Sequence, residues 1–247
     1  MFALPASADI VAFDVPPQAG NDNGQCTIAD ETVECSYGLD FDVNAAIWVT
    51  GVGVFDPFAY MNPVPGLKGP LSVAIYDRNT ESQVEGTFYT FPEGTTGPLI
   101  GGNLIHQLSE YIYLPIGNYS VVAWGYSQEQ PNGNSACDGG ACGGSTEPIT
   151  YTVNNGGGII TFRGSRFGGK AQYPTVVNTY RGSRFGISGD FPTNLDDVET
   201  NQYLAGTFTY IPVEEEQQPD TPAVPEPATL ALVGPAVLGL IRKLKRS

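Results

Sequence analysis

The sequence predicts an all-β fold, an antiparallel β-sandwich of jelly-roll-like topology, on three grounds. The 247 residues include 31 Gly and 20 Pro, which break the chain into short apolar runs, and only 15% of the residues are charged. Segments within residues 30–211 alternate apolar and polar side chains with a period of two. Long amphipathic helices are hard to find. A closed barrel is the main structural alternative.

Eight segments carry the alternation expected of half-buried strands. In 45–55 the pattern places Val49 and Val52 on opposite faces, and in 71–77 it places odd-numbered residues opposite even-numbered ones. The other candidate strands are 84–91, 111–114, 118–126, 158–163, 176–185 and 202–211. With Gly and Pro between them, these strands favour two packed antiparallel sheets, whose strand order the sequence leaves open.

The charge pattern argues against nucleic acid as a partner. The formal net charge is -15, from 26 acidic and 11 basic side chains, and four of the basic ones lie at the carboxyl end, namely Arg242, Lys243, Lys245 and Arg246. The rest of the chain is strongly acidic. Such a surface repels phosphates and anionic membranes, whose binding normally rests on clustered Lys and Arg. It suits a soluble extracellular protein or one that attracts divalent cations.

The 4 cysteines form two local pairs, Cys26 with Cys35 and Cys137 with Cys142, each separated by turn-rich sequence. Disulfides within these pairs are predicted. A zinc site is the alternative, but the spacings lack C-x₂-C pairs and His106 is the only histidine. Disulfides persist in oxidising compartments, so they imply a periplasmic or extracellular destination.

Both flanks of the predicted sandwich domain, 9–212, carry features of an exported protein. Residues 1–8 end in the small residues Ala-Ser-Ala and are expected to be the remnant of a signal peptide, with a plain flexible terminus as the alternative. Residues 213–224 are acidic and contain Pro and Gln, which predicts a disordered linker.

The segment after the linker combines Pro225-Glu226-Pro227 with an uncharged apolar run, 228–241, and the basic end. As a helix, the run rises about 21 Å, short of the roughly 30 Å hydrocarbon core unless flanking residues are drawn in. A marginal span suits a transient inner-membrane anchor, with the basic end cytoplasmic and the body outside. A permanent tail anchor is the alternative.

The run Val224 to Gly234, then Val237 to Ile241 and the basic end, resembles the PEP-CTERM sorting signal over residues 225–247. The resemblance implies processing by exosortase, a membrane transpeptidase-like enzyme of Gram-negative bacteria that produce exopolysaccharide. Pro225, Glu226 and Pro227 are then the recognition residues, near which the chain is cut and released or transferred to the cell surface or matrix. Pro235 and Leu244 depart slightly from the commonest form.

A second resemblance covers most of the body. Its motifs are 39–41, 52–56, 73–77, 117–126 and 203–208. They resemble an uncharacterised β-sandwich domain that is frequent in PEP-CTERM proteins. That resemblance implies a scaffold and no activity.

An octapeptide occurs twice, as Thr-Phe-Arg-Gly-Ser-Arg-Phe-Gly at 161–168 and as Thr-Tyr-Arg-Gly-Ser-Arg-Phe-Gly at 179–186. The two copies and a neighbouring lysine supply five cations of the acidic body: Arg163, Arg166, Lys170, Arg181 and Arg184. These form a candidate patch for an anionic polysaccharide, flanked by aromatic residues. The alternative is that they lie on neighbouring strands and pair with nearby carboxylates.

Motifs for catalysis are weak, and the chain is not expected to be an enzyme. A hydrolase triad would have to use His106, no G-x-S-x-G occurs, and His106 is expected to be an ordinary strand or loop residue. A glycosidase needs two facing carboxylates, and 26 acids offer too many pairs to choose one. No Gly-rich phosphate loop is followed by Lys-Ser or Lys-Thr.

No metal site or cofactor is predicted, although a weak Ca²⁺ site is left open. Asp40, Asp42 and Asn44 alternate as at the start of an EF-hand loop, but Ala45 replaces the required Gly. The same spacing predicts a strand with these polar residues on one face. The loops 20–24 and 196–197 are better candidates for a weak ion, yet their residues also simply make turns.

The expected function is therefore that of an exported, non-enzymatic surface or matrix protein associated with exopolysaccharide. A carbohydrate-binding module that uses Tyr and Trp faces is one alternative, and a secreted glycan-cleaving enzyme is another. The expected partners are exosortase, the inner membrane through 228–241, and exopolysaccharide.

Overall fold

The computed structural model describes residues 8–20, 22, 25–28, 31–134, 151–168, 191–195 and 203–213. The chain divides into two units, Met1–Val213 and Glu214–Ser247, and every described residue lies in the first. Within these residues the backbone forms strands and no helix. Accordingly, this part of the chain holds no helix long and apolar enough to cross a membrane. The predicted linker and the apolar run 228–241 lie outside it, apart from Val213.

The described strands range in length from 2 to 12 residues. In chain order they are β1 (Ile10–Val11), β2 (Phe13–Asp14), β3 (Gln25–Ile28), β4 (Glu31–Glu34), β5 (Ser36–Val43), β6 (Ile47–Phe55), β7 (Leu71–Asp77), β8 (Ser82–Gln83), β9 (Tyr89–Phe91), β10 (Leu99–Ile100), β11 (Asn103–Leu114), β12 (Gly117–Trp124), β13 (Gly133–Asn134), β14 (Thr152–Val153), β15 (Ile160–Gly168), β16 (Asn194–Leu195), β17 (Tyr203–Leu204) and β18 (Gly206–Pro212).

Two antiparallel sheets contain most of these strands. A 5-stranded sheet has the order β1-β18-β6-β11-β10, and a 7-stranded sheet has the order β16-β15-β5-β12-β7-β8, with β9 also paired to β7. Three 2-stranded ribbons complete the described pairings: β13 with β17, β14 with β2, and β3 with β4. For the described residues, the prediction of an all-β, antiparallel fold is confirmed, and the arrangement fits a sandwich or a barrel.

One hydrophobic core joins the two main sheets. In β5, Tyr37, Leu39, Phe41 and Val43 are at most 3% exposed and belong to this core. Phe41 stacks on Phe208 of β18 with ring centroids 4.7 Å apart. Because β5 and β18 belong to different sheets, this contact ties the inner faces together.

Strand β7 has the predicted bounds and the predicted alternation. Its odd-numbered residues from Leu71 to Ile75 lie in the shared core, whereas Ala74 and Tyr76 belong to a smaller apolar cluster with Val122 and Phe191. The 7-stranded sheet therefore buries side chains on both of its faces. Its side away from the shared core is called the outer face below.

The predicted alternation in β6 is wrong at Val52. Val49 and Val52 both lie in the core, because the register of β6 shifts by one residue between them against β18 and shifts against β11 as well. A β-bulge inserts an extra residue, here Thr50, and so moves the residues that follow to the opposite face.

Other predicted strands differ mainly at their ends. Within the predicted strand 84–91, the observed strand covers only Tyr89–Phe91. The residues before it form a turn, in which the Thr87 hydroxyl donates to Val84 O at 2.7 Å and accepts from Ile75 N at 3.0 Å. The predicted strand 111–114 covers only the end of β11, and the predicted strand 158–163 covers only the first part of β15. Segment 176–185 lies outside the described residues.

Candidate functional site

The outer face of the 7-stranded sheet is arranged in rows fixed by strand register. Asp42 of β5 is opposite Asn118 of β12 and Thr161 of β15. The next row places Asp40 beside Ser120, and the one after it places Val122 beside Ala74. Directly opposite residues of an antiparallel pair share one face, so polar and apolar rows follow one another along the face.

Five charged residues form an arginine–aspartate cluster at the polar end of this face: Asp40, Asp42, Arg78, Arg163 and Arg166. Arg166 donates from Nε to both oxygens of Asp40 at 2.7 Å. Arg78, directly after β7, donates to Asp40 from Nη1 at 3.3 Å and to Asp42 from Nη2. Arg163 donates from Nε to Asp42 at 2.5 Å. The two carboxylates are thus shared among three guanidinium groups.

The members of the cluster differ in how far they are buried. The side chain of Asp40 is 2% exposed, those of Asp42, Arg78 and Arg166 are 16%, 17% and 15% exposed, and that of Arg163 is 54% exposed. Ion pairs buried to this degree need good hydrogen bonds to offset desolvation, and Asp40 has them. Arg163 is the member that reaches solvent.

An aromatic ring covers the inner part of the cluster. Phe191 lies with its ring centroid 5.0 Å from the guanidinium carbon of Arg166 and 5.8 Å from the ring of Tyr76. Phe191 is only 6% exposed, so the cation–π contact with Arg166 is largely shielded from water, where such contacts are strongest.

An aromatic pair, Phe88 and Trp124, lies toward the opposite end of the same face. The rings stack with centroids 6.0 Å apart and planes 17° apart. Trp124 packs against the smaller apolar cluster, while Phe88 is 50% exposed. Along β12, Trp124 is six residues from Asn118, which places the aromatic pair about 20 Å from the polar row of Asp42. The face thus presents rings at one end and guanidinium groups at the other.

The other sheet carries a second set of exposed rings. Trp48 and Tyr113 are register partners on β6 and β11, and their rings meet edge to face at 5.1 Å. Tyr113 and Tyr111 are each nearly half exposed. Charged partners for these rings are not found among the described contacts, which distinguishes this surface from the outer face of the 7-stranded sheet.

The sequence-predicted patch is only partly described. Arg163 and Arg166 lie on β15 and pair with carboxylates, as the alternative interpretation expected, and Lys170, Arg181 and Arg184 lie outside the described residues. Arg78 and Phe191, which lie beside Arg166 or its partner Asp40, were not among the residues predicted from the sequence. The position of Arg78 immediately after an apolar strand was the available signal, because it places a cation at a sheet end.

Among the residues of the predicted disulfides and sorting signal, Cys35 alone has a described side chain. Cys35 is fully buried and takes part in a disulfide. Cys26 lies on β3, opposite Val33 of β4, and its side chain, like Cys137 and Cys142, is outside the described part. The pairing therefore stays a prediction, as do the roles of Pro225, Glu226 and Pro227, which also lie outside it.

The candidate calcium ligands Asp40 and Asp42 lie on a strand and are engaged by arginines. Asn44, just after β5, donates to Gly158 O and Thr161 Oγ1, both at 2.8 Å. Of the loop candidates, only Gly20 and Asp22 are described. Within the described residues no group of three or more His, Cys, Asp or Glu could hold a metal ion.

Two buried acid–base groups lie in the shared core. Asp56, directly after β6, accepts from Phe58 N at 2.9 Å, and its other carboxylate oxygen has no hydrogen-bond partner among the described residues. Burial raises the pKa of Asp56. Tyr126 donates to Ala205 O at 2.7 Å, and burial, with the nearby charge of Asp56, raises its pKa well above the usual value. Both shifts favour the neutral form of the group.

His106 lies on β11, and its imidazole stacks on the ring of Tyr89 at 3.5 Å with planes 3° apart. Desolvation by burial lowers the pKa of His106. At neutral pH the ring therefore stacks as a neutral aromatic group, and the contact links β11 of one sheet to β9 of the other. No carboxylate or hydroxyl partner of a catalytic triad is among its described contacts.

We expect the protein to lose stability as the pH falls below about 6.5, the usual pKa of histidine. A lowered folded-state pKa means that the unfolded chain binds more protons in this range, so stability falls with pH until the folded-state pKa is passed. His106→Gln should flatten this part of a plot of Tm against pH. The single histidine makes its ring-proton NMR titration a direct check, and a midpoint at or above 6.5 would contradict the expectation.

Comparison of the chain with protein-family models and with curated proteins finds no match. Its function therefore has to be argued from residue chemistry and from the geometry of the faces described above.

Proposed function

We propose that this chain is an exported protein of the cell surface or extracellular matrix of a Gram-negative bacterium, where it associates with exopolysaccharide and catalyses no reaction. The outer face of the 7-stranded sheet is the proposed contact surface. In this proposal the domain is a jelly-roll-like β-sandwich that acts as a carrier for that face. A carbohydrate-binding module is the closest alternative, since it differs only in being selective for one glycan.

The aromatic pair is the observation that carries the proposal. Phe88 is half exposed and stacks on Trp124, which also packs against the smaller apolar cluster. The stacked ring of Phe88 therefore offers a flat apolar surface to a ligand. The apolar face of a sugar ring fits such a platform, and the hydroxyls of Ser72 and Thr90, 2.8 Å apart in the row of Trp124, supply polar groups nearby.

The proposed address rests on the carboxyl-terminal residues. The run 224–247 resembles a PEP-CTERM signal, so exosortase is the proposed processing partner and 228–241 the proposed transient inner-membrane segment. Loss of the four terminal cations on processing would leave a more acidic mature protein. Such a protein stays soluble in a matrix and avoids anionic lipid surfaces.

The test uses the full chain, recovered by washing the surface of the producing cells. Its mass should correspond to truncation near Pro225, and it should be retained on a column of the exopolysaccharide shed by the same cells. Phe88→Ala should weaken retention about tenfold, because losing one stacked ring costs on the order of 1.4 kcal/mol.

Tyr60→Ala is the matched control, since Tyr60 is 49% exposed and makes no described contact with the outer face. This variant should be retained like the unaltered protein. Absence of the protein from the surface wash, or equal retention of the Phe88 and Tyr60 variants, would count against the proposal.

A further inference from the structure

Cations are concentrated on the outer face. Of the four Lys and Arg residues in the described part of the chain, three belong to the arginine–aspartate cluster and the fourth is Lys68, which lies 5.6 Å from the ring of Phe58. Two aspartates face three arginines, so the cluster carries one positive charge in excess. Charges farther away than about 8–10 Å are largely screened at physiological ionic strength, so an anion at this site experiences the cluster more than the acidic remainder.

The excess charge is available at Arg163. Its only described hydrogen bond is from Nε to Asp42, and the side chain is 54% exposed. The two Nη groups therefore keep their donors for a ligand. A guanidinium group presents parallel donors that match the two oxygens of a carboxylate, as the contacts of Arg166 with Asp40 already illustrate.

Deeper donors of the cluster are also unused. Arg78 Nε and Ser120 Oγ are buried and make no hydrogen bond in the described part of the protein. Ser120 is the register partner of Asp40 on β12. Two aspartates thus do not satisfy every donor, and a further acceptor beside them would meet an electrostatically favourable environment.

We infer that the arginine–aspartate cluster is a subsite for the carboxylate groups of an acidic glycan, with Arg163 as the contacting residue. The inference rests on the proposed association with exopolysaccharide and names its class as a polyuronate. One carboxylate balances the single excess charge. The aromatic pair, about 20 Å from the row of Asp42 along β12, contacts a sugar ring of the same polysaccharide, so one extended polymer engages both ends of the face.

Binding of the full-length protein to polygalacturonate, compared with neutral dextran, tests this inference. Arg163→Ala should weaken binding to polygalacturonate about tenfold and leave binding to dextran unchanged. Arg163→Lys should fall between the two, because lysine keeps the charge and loses the paired donors. Raising the salt concentration should weaken binding to polygalacturonate only.

Lys68→Ala provides the charge-matched control, as it removes the described cation that lies outside the cluster. Circular dichroism and Tm of each variant confirm that the fold is retained, which is expected since Arg163 is more than half exposed. Equal losses for the Arg163 and Lys68 variants would overturn the assignment of the site. Stronger binding to dextran sulfate of matched charge density than to polygalacturonate would overturn the assignment to carboxylates.

The inference and the proposed function fail in distinguishable ways. If the protein binds the exopolysaccharide of the producing cells but ignores polygalacturonate, and Arg163→Ala has no effect, the association stands and the polyuronate assignment is wrong. If the protein binds neither, the proposed function itself is wrong.

Discussion

Replacing Phe208 by alanine is expected to lower the free energy of unfolding by about 3–5 kcal/mol, the range for deleting a large aromatic side chain from a packed core. Phe208 on β18 is 0% exposed, and its ring lies 4.7 Å from Phe41 of the opposite sheet and 5.7 Å from Tyr210. Because the surrounding residues belong to two different sheets, they cannot close the cavity without moving one sheet relative to the other. Urea denaturation monitored by tryptophan fluorescence measures the change.

The same substitution at Phe88 is the matched control. Phe88 is 50% exposed, so Phe88→Ala should cost only about 1 kcal/mol through lost apolar burial. A cost at Phe208 no larger than that at Phe88 would show that the contact between the two sheets does not contribute to stability as its geometry indicates.

The fold class was predictable because alternation along a single strand depends only on that strand. In β7 the bounds and both faces follow from residues 71–77 alone. In β6 the assignment failed at Val52, because the bulge at Thr50 is a property of its pairing with β18 and β11. Most of β11 was likewise not predicted, because its long bulge between Gln107 and Ile112 interrupts the alternation and is also a property of its pairing with β6.

Several residues of the candidate site were predictable from the sequence, but the contacts between them were not. The repeated octapeptide drew attention to Arg163 and Arg166, and spacing placed Asp40 and Asp42 on one face of a strand. That these residues meet depends on β15 pairing with β5, although they are more than 120 residues apart in sequence. Arg78 joins them because β12 lies between β5 and β7. These contacts depend on the order of the strands in the sheet, which the sequence of a single strand does not predict.

Replacing Asp40 by asparagine should destabilise the protein by about 3–5 kcal/mol, because it removes the charge that balances buried arginines. The carboxylate is 2% exposed and contacts Arg166 at 2.7 Å and Arg78 at 3.3 Å. Asparagine has nearly the same shape, so packing is retained and the loss is electrostatic. Arg166 would then lose its described carboxylate partner, and Asp42 would be left to pair with Arg78 and Arg163. Thermal and urea denaturation at neutral pH measure the loss.

Asp42→Asn is the matched control within the same cluster. Asp42 is 16% exposed and pairs with Arg78 and Arg163. In the Asp42 variant Arg78 keeps its pair with Asp40, and Arg163 is 54% exposed, so water screens its charge and the cost should be about 1 kcal/mol. Salt should change the cost at Asp40 little, because a buried pair is weakly screened, and should reduce the cost at Asp42. Equal losses of unfolding free energy at the two positions would mean that the strength of these ion pairs does not depend on their burial. In that case Asp40 would not be the anchor that holds the arginines in place beneath the exposed guanidinium group of Arg163.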